Sequence, residues 1–243
     1  MRSLKDLVVV VTGASQGIGE GIARQFASEG AKITLTARNQ ERLVKVAASL
    51  GIDRKNYLVV TADITRRSGM KKIVASTIRK FGRIDIFVNN AGVGIHKPLI
   101  ETTEQEFDTI FDTNLKAVYF SFLELLPLMK KQGGGQIINI SSGAGRIGVP
   151  GLAVYSSSKA ALNAFSEAVA GEVRNDNIKI SVLAPASTDT RLMSNMSRKS
   201  HSPSKAALKL TVNEVAEAVI FLAKQNKNAW TSMADIRPLL INK

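Results

Sequence analysis

Residues 7–19 read LVVVVTGASQGIG, and this stretch decides the fold. Its apolar, β-branched first half predicts a buried strand, Leu7–Thr12, which leads into a glycine-rich turn and then a helix. Glycines let a backbone approach a ligand closely, and a helix N-terminus offers free N–H groups and the positive end of a dipole. The stretch therefore predicts a phosphate-binding turn. The candidate binding residues are Gly13, Gly17, Ile18 and Gly19.

The spacing of this turn, G-x-x-x-G-x-G, differs from the G-x-G-x-x-G of the general dinucleotide fingerprint. A glycine-rich turn that binds no ligand is therefore the alternative. The position of the turn, after the first strand of a series of strand–helix units, favours the phosphate site.

Strand and helix patterns alternate along most of the chain. The clearest helix is Arg66–Phe81, whose apolar residues recur at the i, i+3, i+4 spacing, and Gly82 ends it. The strands are continuous Val/Ile runs, as expected when both faces of a sheet are covered. The chain is therefore predicted to form one α/β domain over residues 1–243, a three-layer, doubly wound parallel sheet. The predicted strands are Leu7–Thr12, Lys32–Ala37, Tyr57–Ala62, Ile84–Asn89, Gln136–Ile140 and Ile178–Ala184.

Composition narrows the classes of function. The chain is 44% hydrophobic, which is typical of a globular protein, and no run approaches the roughly 18 apolar residues of a membrane helix. The run Leu7–Val11 is too short for a signal peptide, so we expect a cytoplasmic location and no membrane partner. The absence of cysteine excludes disulfides, thiol catalysis and Cys-ligated zinc, and we predict no metal site.

The formal net charge of +13 favours acidic partners, such as a phosphorylated cofactor, an acidic carrier protein or a nucleic acid. A solvated basic surface is the simpler alternative. The chain has no block of five consecutive basic residues and only 5% aromatic residues, so we expect no nucleic-acid partner.

The end of the second strand indicates which dinucleotide is bound. Domains that select NAD carry an acidic residue about 20 residues beyond the glycine turn, where it binds the ribose. Here the strand ends at Ala37-Arg38, with no acidic residue. The guanidinium fork of Arg38 suits a 2′-phosphate, and Ser15 would add a hydroxyl. We therefore predict NADP(H) in preference to NAD(H), the alternative being a surface arginine at a strand end.

Tyr155 and Lys159 lie four residues apart at the start of a helical pattern, so they share one helix face. A nearby ammonium favours the phenolate and would lower the pKa of the tyrosine. A tyrosine tuned in this way would donate or accept a proton in catalysis.

Several sequence motifs resemble those of the short-chain dehydrogenase/reductase family and occur in the order typical of that family, over about residues 4–190. The matching positions are Thr12-Gly13-x-x-x-Gly17-x-Gly19, Asp63, Asn89-Asn90-Ala91-Gly92, Asn114, Ser142 and Tyr155-x-x-x-Lys159. The resemblance implies a Rossmann-like fold and hydride transfer with a nicotinamide cofactor.

The resemblance also implies catalytic roles. Tyr155 would donate a proton to the developing alkoxide, and Lys159 would lower the pKa of Tyr155 and bind the nicotinamide ribose. Ser142 would hold the substrate carbonyl oxygen, and Asn114 would hold a water linked to Lys159. A nucleophilic role is the alternative for Ser142, but no G-x-S-x-G motif surrounds it. The two histidines, His96 and His201, are not predicted to be catalytic, although His96 would border the mouth of the site.

Further cofactor contacts follow from the resemblance. Asp63 would accept a hydrogen bond from the adenine amino group, and the small residues of Asn90-Ala91-Gly92 would let the adenosine half lie against a strand end. Tyr155 and Lys159 belong to the same cofactor site.

The segment after the sixth strand departs from the family pattern. Pro185 and Thr190 match positions near the nicotinamide carboxamide, whereas Ala186 replaces glycine and Thr188 replaces Val or Ile. If Ala186 needed a positive φ it would be strained. The Ser- and Lys-rich stretch 188–210 then predicts a substrate lid.

The substrate is less defined. The chain is similar to 3-oxoacyl-[acyl-carrier-protein] reductases, so the first hypothesis is an NADP(H)-dependent carbonyl or 3-oxoacyl thioester reductase, with an acidic acyl carrier protein as a candidate partner. Yet Gly133 and Asp176 occupy the region of the family's basic docking residues. Basic residues in the predicted lid would meet an anionic substrate or only solvate the loop; they are Arg191, Arg198, Lys199, Lys205 and Lys209. The alternatives are an NAD-linked alcohol dehydrogenase and a non-catalytic dinucleotide-sensing regulatory protein.

The family's assemblies imply a homo-oligomer. Near its C-terminus the chain has Ile236-Arg237-Pro238 where many relatives have Asp-Gly-Gly, so a tetramer cannot be carried over directly. A homodimer through the helices near 115–130 and 155–174 is expected, with a homotetramer as the alternative.

Overall fold

A computed structural model describes residues 1–189 and 209–239 of the chain. The strands are β1 (Val8–Thr12), β2 (Lys32–Ala37), β3 (Tyr57–Thr61), β4 (Ile86–Asn89), β5 (Gly135–Ile140), β6 (Ile178–Pro185) and β7 (Met233–Ile236). The α-helices are α1 (Gly17–Ser28), α2 (Gln40–Ala48), α3 (Arg67–Phe81), α4 (Glu104–Phe111), α5 (Ala117–Lys131), α6 (Ala153–Val173) and α7 (Val212–Ala223). A π-helical segment, Asp112–Lys116, joins α4 to α5.

All neighbouring strands pair in parallel, in the order β3-β2-β1-β4-β5-β6-β7. The predicted three-layer, doubly wound parallel sheet in a single domain is therefore confirmed. Each of the six predicted strands is present with end shifts of at most two residues. β7 was not among them. The predicted lid lies mainly in 190–208, outside the described residues.

The continuous valine run of β1 fills both layers of the core. Val9 and Val11 pack with residues of α1, α2 and α7, whereas Val10 packs with residues of α3, α5 and α6 on the other face. This arrangement explains why the strands lack polar alternation. Among the described residues, no helix is long and apolar enough to cross a membrane.

The predicted helix over residues 66–81 is present as α3. Met70, Ile73 and Thr77 form its buried stripe. Gly82 follows in the left-handed conformation, with φ of 82°, and its N–H donates to the carbonyl of Ile78. A glycine ends the helix here because a left-handed residue costs least without a Cβ.

The strand order reverses between β1 and β4. β2 and β3 lie on one side of β1, and β4 begins the half that continues to β7. In open α/β sheets such a switch point leaves a crevice at the carboxyl ends of the strands, and ligands bind there.

The opposite, amino end of this switch point is held by the buried carboxylate of Asp85. Asp85 accepts a hydrogen bond from the backbone N–H of Val8 at 2.8 Å and another from Arg83 at 2.8 Å. Its backbone carbonyl accepts from the N–H of Gln136 at 2.9 Å. One residue therefore ties together the starts of β1, β4 and β5.

We predict that Asp85→Ala lowers the free energy of unfolding by about 1–3 kcal/mol, because the buried N–H of Val8 would lose its acceptor. Urea denaturation would measure this loss. Arg83→Ala is the matched control: its side chain is 55% exposed, so it should cost less than about 1 kcal/mol. Equal losses in the two variants would contradict the assignment.

Candidate active site

The glycine turn after β1 is shaped for close approach. Gly13 and Gly17 have positive φ values of 67° and 58°. A Cβ on Gly19 would lie 2.4 Å from the carbonyl oxygen of Gly13, so no side chain fits there. Gln16, which precedes α1, makes no side-chain capping hydrogen bond. The helix therefore begins with no such polar partner, as a site for an incoming anion requires.

Thr12 joins this turn to the segment that follows β4. Its hydroxyl accepts hydrogen bonds from the N–H groups of Asn90 and Ala91, both at 3.0 Å, and donates to the carbonyl of Val88 at 3.3 Å. The side-chain amide of Asn90 donates to the carbonyl of Thr12 at 2.8 Å. Sequence reasoning placed Thr12 in the motif but gave it no role. Its only sequence signal is a hydroxyl at the last position of a strand.

A groove of about 530 Å³ opens beyond β2 and β3. The structure brings the predicted residues Arg38 and Asp63 together in its wall. Arg66 and Lys72, which sequence reasoning did not single out, also line it. The groove therefore presents three cationic side chains around one carboxylate.

Asp63 remains ionised in this groove. Its carboxylate accepts hydrogen bonds from the N–H and the hydroxyl of Thr65, at 3.0 and 2.8 Å. These bonds are the main reason that the pKa of Asp63 falls below its usual value, and the charges of Arg38 and Arg66 lower it further. An ionised Asp63 is a hydrogen-bond acceptor, as the predicted contact with an adenine amino group requires.

The candidate residues form two groups, which we call constellations. The first is the glycine turn after β1 with the groove beyond β2 and β3, and the second lies where β5 ends and α6 begins. The Ser142 side chain lies close enough to the Tyr155 hydroxyl to influence its pKa, and Tyr155 is 8% exposed. The ammonium of Lys159 lies 6.0 Å from the centre of the Tyr155 ring and donates to the carbonyl of Ile140 at 2.8 Å. Three of the four predicted catalytic residues therefore share one buried site.

The electrostatics of this site differ from the prediction. Burial raises the pKa of Tyr155, and the nearby Ser142 side chain only partly opposes this effect. Burial also lowers the pKa of Lys159 from 10.5 to about 8. The predicted lowering of the Tyr155 pKa is therefore wrong for the chain alone. The spacing of two residues on a helix face does not reveal how far burial penalises both charged forms.

Asn114, the fourth predicted residue, lies in the π-helical segment. Its side-chain oxygen accepts from the N–H of Val93 at 2.9 Å, and its amide donates to the carbonyl of Val93 at 2.9 Å and to Ser158 at 3.0 Å. A Cβ on Gly92 would lie 3.2 Å from Asn114 and 3.5 Å from the ammonium of Lys159. Asn114 therefore holds the end of the β4 loop against α6, beside Lys159.

The segment after β6 is unstrained. Ala186 is not among the described residues with positive φ, and its N–H donates to the carbonyl of Ile236 at 2.9 Å. Ala186 therefore does not adopt the positive φ that would have strained an alanine at this position. Pro185 ends β6 at the carboxyl edge of the sheet. The predicted contact Thr190 lies outside the described residues.

The remaining sequence candidates are placed as follows. The ring of His96 lies against Gly151, two residues before α6, where an added Cβ would come within 2.7 Å of it. Within the described part of the chain, His96 forms no hydrogen bond with Tyr155 or Lys159. His201 lies outside them. Across 1–189 and 209–239, no three His, Asp or Glu side chains cluster as metal ligands would.

Comparisons with known proteins point in one direction. The sequence profile of the short chain dehydrogenase family matches residues 7–201. An uncharacterized oxidoreductase of Staphylococcus epidermidis is 33% identical over 239 residues, which cover 98% of this chain and 100% of that protein. An uncharacterized oxidoreductase of Staphylococcus saprophyticus is 33% identical over 241 residues, with the same coverage.

Solved structures are similar over almost the whole chain. The closed form of serine dehydrogenase complexed with NADP+ is 28% identical with a TM-score of 0.88, covering 98% of this chain and 100% of that one. A metagenomic short-chain oxidoreductase in complex with NADP is 33% identical with a TM-score of 0.83, at 99% and 100% coverage. A 3-ketoacyl-(acyl-carrier-protein) reductase from Brucella melitensis complexed with NADH is 32% identical with a TM-score of 0.86, at 96% and 98% coverage.

We predict that Thr12→Val, which keeps the shape but removes the hydroxyl, destabilises the chain by about 1–3 kcal/mol. The backbone N–H of Ala91 should exchange with solvent deuterium at least about tenfold faster, since its acceptor is gone. Hydrogen exchange measured by NMR would test this. Thr12→Ser keeps the hydroxyl and should keep the protection of Ala91; unchanged protection in Thr12→Val would contradict the role assigned to Thr12.

Proposed function

The chain is an oxidoreductase that belongs to the short-chain dehydrogenase family, and from this premise we propose that it uses NADP(H) to reduce a carbonyl group to an alcohol. The observation that carries the proposal is the buried Tyr155, with the side chains of Ser142 and Lys159 beside it. A non-catalytic sensor would have no need of a buried proton donor.

The residues of the chain fit a nicotinamide dinucleotide. Gly13 and Gly19 have no side chains that would keep a ligand from the backbone. Together with the N-terminus of α1, they suit the pyrophosphate of the cofactor. The groove with Arg38 and Asp63 suits its adenosine end. When bound, the cofactor supplies the hydride.

The proposed proton donor is Tyr155. Its raised pKa keeps the hydroxyl protonated near neutral pH, so a proton is available for the carbonyl oxygen as the carbonyl carbon gains the hydride. Ser142, beside the same hydroxyl, would donate a hydrogen bond to that oxygen and stabilise its developing charge. The phenolate that remains would be stabilised by the ammonium of Lys159.

Two observations support NADP(H) over NAD(H). Arg38 is exposed at the end of β2, in a groove with two further cations, and no acidic residue occupies the end of the strand. Two of the structural relatives were solved with NADP. A third was solved with NADH, so the preference requires a direct test.

We propose 3-oxoacyl thioesters as the first substrate class to examine. One structural relative is a 3-ketoacyl-(acyl-carrier-protein) reductase. The loop after Ser142 also exposes Ile147 and Val149, which suit an acyl chain near the site. The docking region contributes little to the case for an acidic carrier protein, because Lys130, three residues before Gly133, is paired with Asp176 at 3.0 Å.

We also propose a homodimer through α5 and α6. Tyr119 is 45% exposed on α5 and contacts the ring of Phe165 on α6, with ring centres 6.4 Å apart. A second copy of the chain would cover this aromatic face. A homotetramer would additionally require pairing near β7, the other edge of the sheet.

We predict that Tyr155→Phe lowers turnover at least about 100-fold, because the proton donor is lost, while NADPH binding remains largely intact. The assay is NADPH oxidation with acetoacetyl thioesters, diketones and aldehydes, with serine and NADP+ for the reverse direction. Tyr119→Phe is the matched control and should keep full turnover. If Tyr155→Phe keeps most of its activity, Tyr155 is not the proton donor.

We predict that Arg38→Ala weakens NADPH binding about 10- to 100-fold, the equivalent of one charge-assisted hydrogen bond, and changes NADH binding little. Fluorescence titration with both cofactors would measure the ratio. Arg174→Ala removes an exposed arginine far from the groove and should leave both affinities unchanged. Wild-type protein that uses NADH as well as NADPH would contradict the proposed selectivity.

A further inference from the structure

Among the residues that the structure describes, the excess positive charge is concentrated in one region. Residues 38–80 contain eleven lysines and arginines but only three acidic residues, a net charge of +8. The other described residues carry seventeen basic and seventeen acidic side chains, so they are neutral overall. The excess charge of the described chain therefore comes from the segment between the end of β2 and the last turn of α3.

This segment surrounds one edge of the sheet. β3 is the edge strand, α2 packs on one side of the sheet at β3 and α3 packs on the other. We call this region the basic edge, meaning residues 38–80. The groove lined by Arg38, Arg66 and Lys72 lies in this region, at the carboxyl ends of β2 and β3.

Three of the cations in the basic edge form hydrogen bonds or an ion pair within the fold. Lys72 donates to the carbonyl of Thr61 at 2.9 Å and Lys80 donates to that of Tyr57, so both protect carbonyl groups of the edge strand. Arg67 pairs with Glu124 at 2.9 Å. The fold itself therefore explains these three charges.

Other cations of the basic edge have no such partner. Lys45 on α2 and Lys71 on α3 are exposed, and their ammonium groups make no hydrogen bond or ion pair with the described residues. Like charges are also crowded together: the pKa of Lys80 is lowered by burial and, in addition, by the charge of Arg54. Such crowding has an energetic cost, which is offset when an anion approaches.

We propose that the basic edge guides a phosphorylated dinucleotide into the adjoining groove and speeds its association. This inference rests on the proposed use of NADP(H) and adds a role for charges that do not touch the cofactor. NADPH carries close to four negative charges, about two from the pyrophosphate and nearly two from the 2′-phosphate. Lys71 is adjacent to Lys72, which lines the groove, and consecutive Cα atoms are about 3.8 Å apart, within the roughly 8 Å over which charges act at physiological ionic strength.

The ionic strength dependence of binding gives the first test. The association rate constant of NADPH, measured by stopped-flow fluorescence, should fall at least about tenfold between 20 mM and 500 mM NaCl. The dissociation rate constant should change much less, because steering acts before contact. NADH lacks the 2′-phosphate, so its association should depend less steeply on salt.

Charge reversal gives the second test. The double variant Lys45→Glu/Lys71→Glu should associate with NADPH at least about threefold more slowly at 20 mM NaCl, and the difference should vanish at 500 mM. The matched control is Lys131→Glu/Lys227→Glu, which makes the same charge change at exposed positions at the amino end of the sheet. Its association rate should equal that of the wild type.

The outcomes separate this inference from the proposed function. If wild-type protein binds NADPH but the association rate ignores salt, or falls equally in both double variants, the guiding role is wrong and the proposed cofactor stands. If the wild-type protein does not bind NADPH, both are wrong. Circular dichroism would confirm that each variant is folded before its rates are compared.

Discussion

The structure depends on the close approach of two loops, the turn that follows β1 and the segment that follows β4. The Thr12 hydroxyl holds the N–H groups of Asn90 and Ala91, and Gly19 leaves no room for a Cβ beside Gly13. Parallel pairing of β1 with β4 brings these ends together at the switch point of the sheet. The same contact that shapes the glycine turn therefore also fixes where residues 90–92 lie.

From that junction a chain of contacts leads to the second constellation. Gly92 packs against Asn114 and the Lys159 ammonium, and Asn114 bonds to Val93 and to Ser158 on α6. The glycine turn and the buried tyrosine are thus parts of one packed arrangement. Burial raises the Tyr155 pKa and lowers that of Lys159, so both residues are biased toward their uncharged forms.

Sequence predicted the features that depend on local pattern. Continuous Val/Ile runs identify the central strands, and the glycine spacing identifies the turn. β7 was missed because it is short and includes the charged Asp235, and the π-helical segment 112–116 has no sequence pattern of its own. The role of Thr12 and the pKa direction at Tyr155 depend on contacts and burial between distant segments, which a single sequence does not specify. The basic edge required the sheet order, since only that order shows that residues 38–80 surround one strand.

A crystal structure of the chain with NADP+ is the most direct test of the account. We expect the pyrophosphate at the N-terminus of α1, the 2′-phosphate on Arg38, and the nicotinamide ribose within hydrogen-bonding distance of Tyr155 and Lys159. A dinucleotide bound elsewhere, or one with its nicotinamide end away from Tyr155, would contradict the central claim that the two constellations form a single site.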